Sequence, residues 1–234
     1  MIGKGKSISH GVAALEYDLA KEIDGQAAAT EIARHELYGC TGAEMVQEMK
    51  PYFTDFPNVK NNCLRFEVSP SIEESSSFTD ADWAELGNDF MQRMGLMNHQ
   101  YIIIRHSGTE SKKEQAHLHI LANRISLSGE LYRDNWIGKR ATEAANAIAK
   151  ERNFVQSQDI GKANKAEIKE AMNEVLKKLQ GFDLTKFQEE LGKLGFKVRE
   201  ARASTGKLNG YYVTARSGTE YKASEIGKGY TLAH

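Results

Sequence analysis

Two apolar runs of strand length, residues 100–106 and 116–124, are separated only by the polar segment 107–115. Parallel strands need a crossover of a dozen or more residues, so two runs this close are expected to pair antiparallel as a hairpin. His106 closes the first run, and His117 and His119 open the second. Residues i and i+2 of a strand share a face, so His117 and His119 point to one side while Leu118 and Ile120 turn to the core. Hairpin pairing brings His106 to the same end, where three imidazoles can meet on the sheet surface. Neutral imidazole is the commonest metal ligand, and three of them leave positions open for phosphate oxygens. A lone His-x-His on a strand is ordinary; the third histidine raises a metal site to an even contest with a structural role. His99 reads as a turn or supporting residue, and His10, His35 and His234 as incidental.

The rest of the chain mixes helical and extended signals. Ser9 is a candidate cap for a helix with the stripe Val12, Leu15, Leu19 and Ile23, ending near Gly25. A second helix is expected over 27–37 and a third after Thr41, stopped by Pro51. Residues 62–69 alternate as a strand, 71–77 read as a polar loop, and Thr79 with Asp82 caps a helix to about 94. Further helices are expected over 134–152, 161–180 and 184–194. Two short strands, 196–203 and 211–215, then flank a Gly-Lys-Leu-Asn-Gly turn. The expected fold class is α/β of the α+β kind. A central antiparallel sheet carries the three-histidine site, helices flank it, and a small C-terminal helix-plus-hairpin region follows. The expected division is 1–155 for a catalytic core and 156–234 for the C-terminal part.

Composition narrows the class without choosing within it. The 234 residues are 40% hydrophobic and 27% charged, ordinary for a globular protein with a core. No run approaches the ~20 apolar residues that span a bilayer, and residues 1–10 lack a signal-peptide core, so a cytoplasmic location is expected. Cys40 and Cys63 show no zinc spacing and read as structural thiols. A net charge of -1 argues against a coat on DNA, but not against local basic patches that grip phosphate.

The run "HQYIIIRHSGTESKKEQAHLHILANRIS" resembles the metal motif of relaxases, members of the His-hydrophobe-His endonuclease superfamily. Within it the chain is similar to the mobilisation proteins of conjugative elements in gut-type bacteria. The resemblance implies His106, His117 and His119 as metal ligands, with Asn123-Arg124 in the place of the family's following Asn-Arg. The family often has an aspartate two residues after the first histidine, where this chain has Gly108; Glu110 and Glu114 are candidate replacements. "GKGKSISHGVAALEYDLAKE" resembles the family's first motif and implies Tyr17 as nucleophile. The helical reading sets Tyr17 nearly opposite the stripe, among Ala13, Ala20 and Asp24. "RFEVSPS" with Ser69 and Ser71, "YRDNWIGKRATEAANAIAKERN" and "GKLNGYYVTARSGTEYKASEIGKGYTL" resemble later family segments in the right order. Family members usually continue further, so the chain reads as an N-terminal catalytic portion.

What the resemblance implies is metal-dependent nicking of one DNA strand at an origin of transfer, through a 5'-phosphotyrosyl intermediate. The implied cofactor is a divalent ion, Mg2+ or Mn2+, with Zn2+ or Ni2+ as substitutes in crystals. The implied partners are single-stranded DNA, accessory mobilisation proteins and a coupling protein, with no membrane. Lys4, Lys6, Lys21, Arg124, Lys139, Arg140 and Arg202 are candidate phosphate contacts, and Tyr211, Tyr212 and Tyr221 candidate stacking residues. A rolling-circle initiator of the same superfamily would place its tyrosine on the helix after the metal strands, and residues 134–152 contain none. A DNA-binding accessory protein would cleave nothing with any metal, and a three-histidine hydrolase of small molecules would lack a basic surface.

Overall fold

The two apolar runs pair at the middle of a five-stranded antiparallel sheet. The computed structural model describes residues 1–108, 115–179 and 181–232, and the chain divides into two compact units, Met1–Ser157 and Gln158–His234. The first unit runs β1 (Ile2–Ile8), α1 (Gly11–Leu19), β2 (Glu22–Ile23), β3 (Gln26–Ala27), β4 (Ala29–His35), α2 (Gly42–Phe53) and β5 (Cys63–Ser69). It continues through α3 (Ile72–Ser75), α4 (Asp80–Met94), β6 (His99–His106), β7 (His117–Ser126) and α5 (Ile137–Glu151). The spatial order β1-β5-β7-β6-β4 puts β7 at the centre.

Both faces of the sheet are covered, which explains the near-continuous burial of β6. One face sends Phe66, Ile103, Leu118 and Ile120 against Trp83, Leu86 and Phe90 of α4 and the alanines of α5. The other sends Cys63, Ile102, Ile104 and Leu121 against Leu15 of α1 and Met45 and Met49 of α2. Each such side chain, fully buried, contributes roughly 1.5–3 kcal/mol. Two close approaches need glycine. A Cβ on Gly3 would strike the Ala141 carbonyl, so the glycines of the Gly-Lys-Gly-Lys run let α5 lie on β1 while the lysines face the opposite side. A Cβ on Gly11 would meet the Cys63 sulfur at 2.6 Å, so α1 sits down on β5 only because Gly11 has none.

The second unit has α6 (Ser157–Lys178), α7 (Leu184–Lys193), a sheet ordered β10-β9-β8, and α8 (Ala223–Ile226). Its strands are β8 (Lys197–Arg202), β9 (Leu208–Thr214) and β10 (Glu220–Lys222). Ile168, Met172, Phe187, Leu191, Phe196 and Val213 form a core of their own. Among the described residues, no helix is long and apolar enough to cross a membrane.

Several local expectations are corrected. The lead before α1 is strand β1, whose lysines gave it a polar look although it pairs along its whole length with β5. The helix expected over 27–37 is instead β3 and β4. Pairing of β4 with β6 overrides the helix preference of its alanines. The first helix ends at Leu19, and Ile23 belongs to β2. Asp24 (φ 52°) and Gly25 (φ 73°) form the tight turn of the β2–β3 hairpin, for which Asp-Gly is a strong local signal. Ser71 caps the single turn α3 within the supposed loop, and α2 carries on through Pro51 to Phe53. The Thr79–Asp82 capping box opens α4, and left-handed Gly95 (φ 72°) closes it.

Candidate metal centre and its helix

Strand register assembles the histidines. His106 pairs directly with His117, and Ile104 pairs with His119, so all three rings leave the same face at the end of the pair where β6 finishes and β7 begins. The ring centroids lie 4.3 Å apart for His106 and His119, 4.9 Å for His117 and His119, and 5.4 Å for His106 and His117. One nitrogen from each lies within 4.8 Å of the others, and among the described residues no other trio of His, Cys, Asp or Glu is so disposed.

The outer nitrogens are held by the protein. His106 Nε2 donates to the Asp18 carbonyl at 2.8 Å, and His117 Nδ1 to the Gln115 carbonyl at 3.1 Å. A carbonyl only accepts, so the opposite nitrogen of each ring keeps its lone pair. His119 Nδ1 lies 3.0 Å from Arg65 Nη2 and 3.5 Å from an Asp18 carboxylate oxygen. These neighbours favour opposite tautomers: the guanidinium can only donate to Nδ1, and the carboxylate can only accept from it. A metal on Nε2 requires the second arrangement. Burial lowers the His106 imidazole to about 4, with nearby positive charges adding to the effect against the bond to Asp18. Burial and the neighbouring histidines and Arg65 lower His119 to about 2. Both rings are thus neutral at neutral pH, the form a metal ligand must take. The donor set suits a divalent metal ion.

Asp18 is the residue the sequence reading missed. Its side chain is 1% exposed and accepts from Arg65 Nε at 3.1 Å and Nη2 at 2.5 Å. Burial raises its carboxyl, and the Arg65 guanidinium opposes this. The buried residues of α1 are Gly11, Ala14, Leu15 and Asp18, whereas Val12, assigned to the stripe, is 39% exposed. The signal available was the alternation of β5: Arg65 and Glu67 fall on the face opposite Leu64, Phe66 and Val68, which is the histidine face.

Tyr17 precedes Asp18 and is 59% exposed. Lys21, one turn on, places its ammonium 3.5 Å from the phenol oxygen and 5.6 Å from the ring centroid. An open pocket of about 190 Å³ beside His119 is lined by Lys4, Lys6, Arg65 and Glu67, with Lys4 paired to Glu67 at 2.9 Å.

Other candidates lie elsewhere. The Arg124 guanidinium is used within the protein, on Asp134 (2.6 Å), the Tyr132 carbonyl (3.0 Å) and the Asn61 carbonyl (2.9 Å). Lys139 is exposed on α5, 3.7 Å from Glu143, and Arg140 packs over the Tyr132 ring. Arg202, in the second unit, pairs with Glu200 at 2.6 Å. Tyr211 and Tyr221 are buried in that unit's core, which overturns their reading as stacking residues; Tyr212 lies under Arg199 on the outer sheet face. His99 bonds the Asn123 carbonyl at the far end of β6, and His35 stacks on Tyr101. His10 stands at the N-cap of α1 without a side-chain bond. Glu110, Glu114 and His234 lie outside the described residues.

Solved structures are similar at low identity, among them the following three. One, concerned with vancomycin-resistance transfer in Staphylococcus aureus, has a TM-score of 0.37 at 13% identity, covering 66% of this chain and 95% of that one. The conjugative relaxase TrwC in complex with OriT DNA gives 0.38 at 12% identity when metal-bound, and 0.40 at 11% when metal-free. Each TrwC match covers 88% of this chain and 74% of that one. No curated protein matches. The family model of the MobA/VirD2-like relaxase nuclease domain matches residues 17–154, more than half of the chain and the stretch that runs from Tyr17 past all three histidines. The chain therefore belongs to the MobA/VirD2-like relaxases, enzymes that nick DNA.

Proposed function

We propose that this relaxase cuts one DNA strand by attack of the Tyr17 hydroxyl on a phosphate held beside His106, His117 and His119. The observation that carries the reading is the fastening of α1 to the histidines: Asp18, next to Tyr17, bonds His106 through its carbonyl and faces His119 with its carboxylate. In the step, the bond from the tyrosine oxygen to phosphorus forms and the bond from phosphorus to the 3'-oxygen breaks. The phenolic proton ends on the departing 3'-hydroxyl. The 5'-phosphotyrosyl ester keeps the energy of the broken bond, so the reverse attack reseals the strand. A divalent ion on the three imidazoles would withdraw charge from the non-bridging oxygens and orient the phosphate. Lys21 puts a positive charge beside the attacking oxygen, and Lys4, Lys6 and Arg65 line a path for the flanking backbone.

We assign Mg2+ or Mn2+ as the working ion; three nitrogen donors also suit Zn2+ and Ni2+. We place the reaction at an origin of transfer, on single-stranded DNA, with accessory mobilisation proteins and a coupling protein as partners. Residues 1–155 are assigned as the catalytic core and 156–234 as the C-terminal part of the relaxase region. The test offers 3'-labelled single-stranded origin DNA with Mn2+ and looks for a protein-linked label. Tyr17→Phe is expected to abolish the adduct while fluorescence anisotropy shows nearly unchanged DNA binding. Equal capture by the variant dismisses Tyr17.

A further inference from the structure

Trp136 is 80% exposed, the most of any large apolar side chain among the described residues. It also holds φ 57° and ψ 25°, a left-handed conformation that is a genuine outlier for a bulky residue. It occupies the third place of the tight turn Asp134–Ile137, closed by the Ile137 N–H on the Asp134 carbonyl at 3.1 Å. A positive φ at that place favours glycine or asparagine. As N-cap of α5 it accepts from the Arg140 N–H through its carbonyl, but its side chain supplies no capping acceptor. Burial, capping and turn geometry would each be served better by another residue. What tryptophan provides here is an indole face held in solvent.

The turn is anchored. Asp134 accepts from Ser7 Oγ of β1 and from Arg124 Nη2 of β7, each at 2.6 Å. Its charge is met by Arg124, so the exposed charges flanking Trp136 in sequence, Arg133 and Lys139, are positive. Tyr38 offers the contrast: it is 76% exposed, but its hydroxyl and N–H go to Glu36 and Glu48. The turn also has a defined place relative to the histidines. His119 is level with Glu67 and hence with Lys4, and Ser7 lies three residues further along β1. Ser7 shares its face with Gly3 and Gly5, the side of edge strand β1 on which α5 packs, so the turn stands around the β1 edge from the histidines, with Ser7 about 10 Å along the sheet and two strands across from His119.

We propose that Trp136 is a DNA-contacting residue, stacking on a base of the single strand where that strand passes the β1 edge of the sheet, beyond the stretch that holds the cleaved phosphate. Arg133 and Lys139 hold the backbone on either side. Aromatic faces between cations are how proteins grip unpaired strands, because every base presents a π-face. This rests on the DNA-nicking reading, and the test separates the two.

Trp83, the other tryptophan of the chain, is 2% exposed, so quenching of red-shifted emission reports Trp136. Single-stranded origin oligonucleotide is titrated into full-length Tyr17→Phe protein, with anisotropy of the labelled strand measured in parallel. Emission is expected to fall with the same midpoint as the anisotropy rises. Trp136→Gly is expected to bind on the order of tenfold more weakly and Trp136→Phe to recover most of the loss. The glycine variant also relieves the backbone, so its Tm is expected to rise while its DNA affinity falls, a combination that a structural role would not give. Binding without quenching, or a Trp136→Gly variant that binds as tightly as its parent, overturns the stacking proposal and leaves the nicking reading standing. Absence of any DNA binding by the parent overturns both. Quenching by an apolar peptide but not by DNA replaces the strand with a protein partner and also refutes the proposal.

Discussion

Asp18 and the residue before it divide the labour at the site. Tyr17 is left exposed, and Asp18 turns inward to meet Arg65 and two histidines. Its two contributions can be separated, because the bond to His106 comes from the main chain and survives a change of side chain. Asp18→Asn keeps the shape but removes the charge and leaves a single acceptor oxygen where Arg65 and His119 share two. Mn2+ affinity is expected to fall about 10- to 100-fold by calorimetric titration, with nicking partly restored at saturating metal. Unchanged affinity would show that the carboxylate does not orient His119. That the three imidazoles meet on one face was legible from their spacing. Asp18 was not, because an aspartate next to an exposed tyrosine reads as a solvent residue until the helix is seated on the sheet.

The elements that were legible carry their instructions locally. The Thr79–Asp82 box starts α4 wherever α4 lies, and two apolar runs with a short polar link can only return antiparallel. The elements that were not legible are those at the sheet edges. β1 and β4 are half-polar, rich in lysine, glycine or alanine, and become strands only because β5 and β6 offer them partners. The seat of α1 is a third such case, set by the missing side chain at Gly11 against Cys63. Gly11→Ala is expected to destabilise the fold by about 1–3 kcal/mol and to displace the helix bearing Tyr17. Nicking should then fall more than DNA binding. The check is a denaturant melt alongside single-turnover cleavage; a stable variant with normal cleavage would mean that the helix has room to shift.

Stability of the first unit should report the state of its histidines. His106 and His119 have native values of about 4 and about 2, below the ~6.5 of an unfolded imidazole. Between these limits the unfolded chain takes up protons that the native state refuses, so the contribution is complete above about 6.5 and is lost as pH falls. Without metal, the Tm is expected to drop between pH 7.5 and pH 4.5, and His119→Gln to flatten that slope. Both tryptophans lie in the first unit, so a fluorescence melt isolates it from the second. A pH-independent Tm would mean that the rings are freely hydrated. Taken by itself, the sequence determined what depends on neighbours along the chain: the hairpin, the common face of His117 and His119, the capped helices and the order of the family motifs. Tertiary structure alone decided which polar residues are buried, how β1 and β4 complete the sheet, and that Asp18 ties the tyrosine's helix to the histidines. Those outcomes depend on partners distant in sequence, and local pattern carries no information about a partner until the sheet has closed.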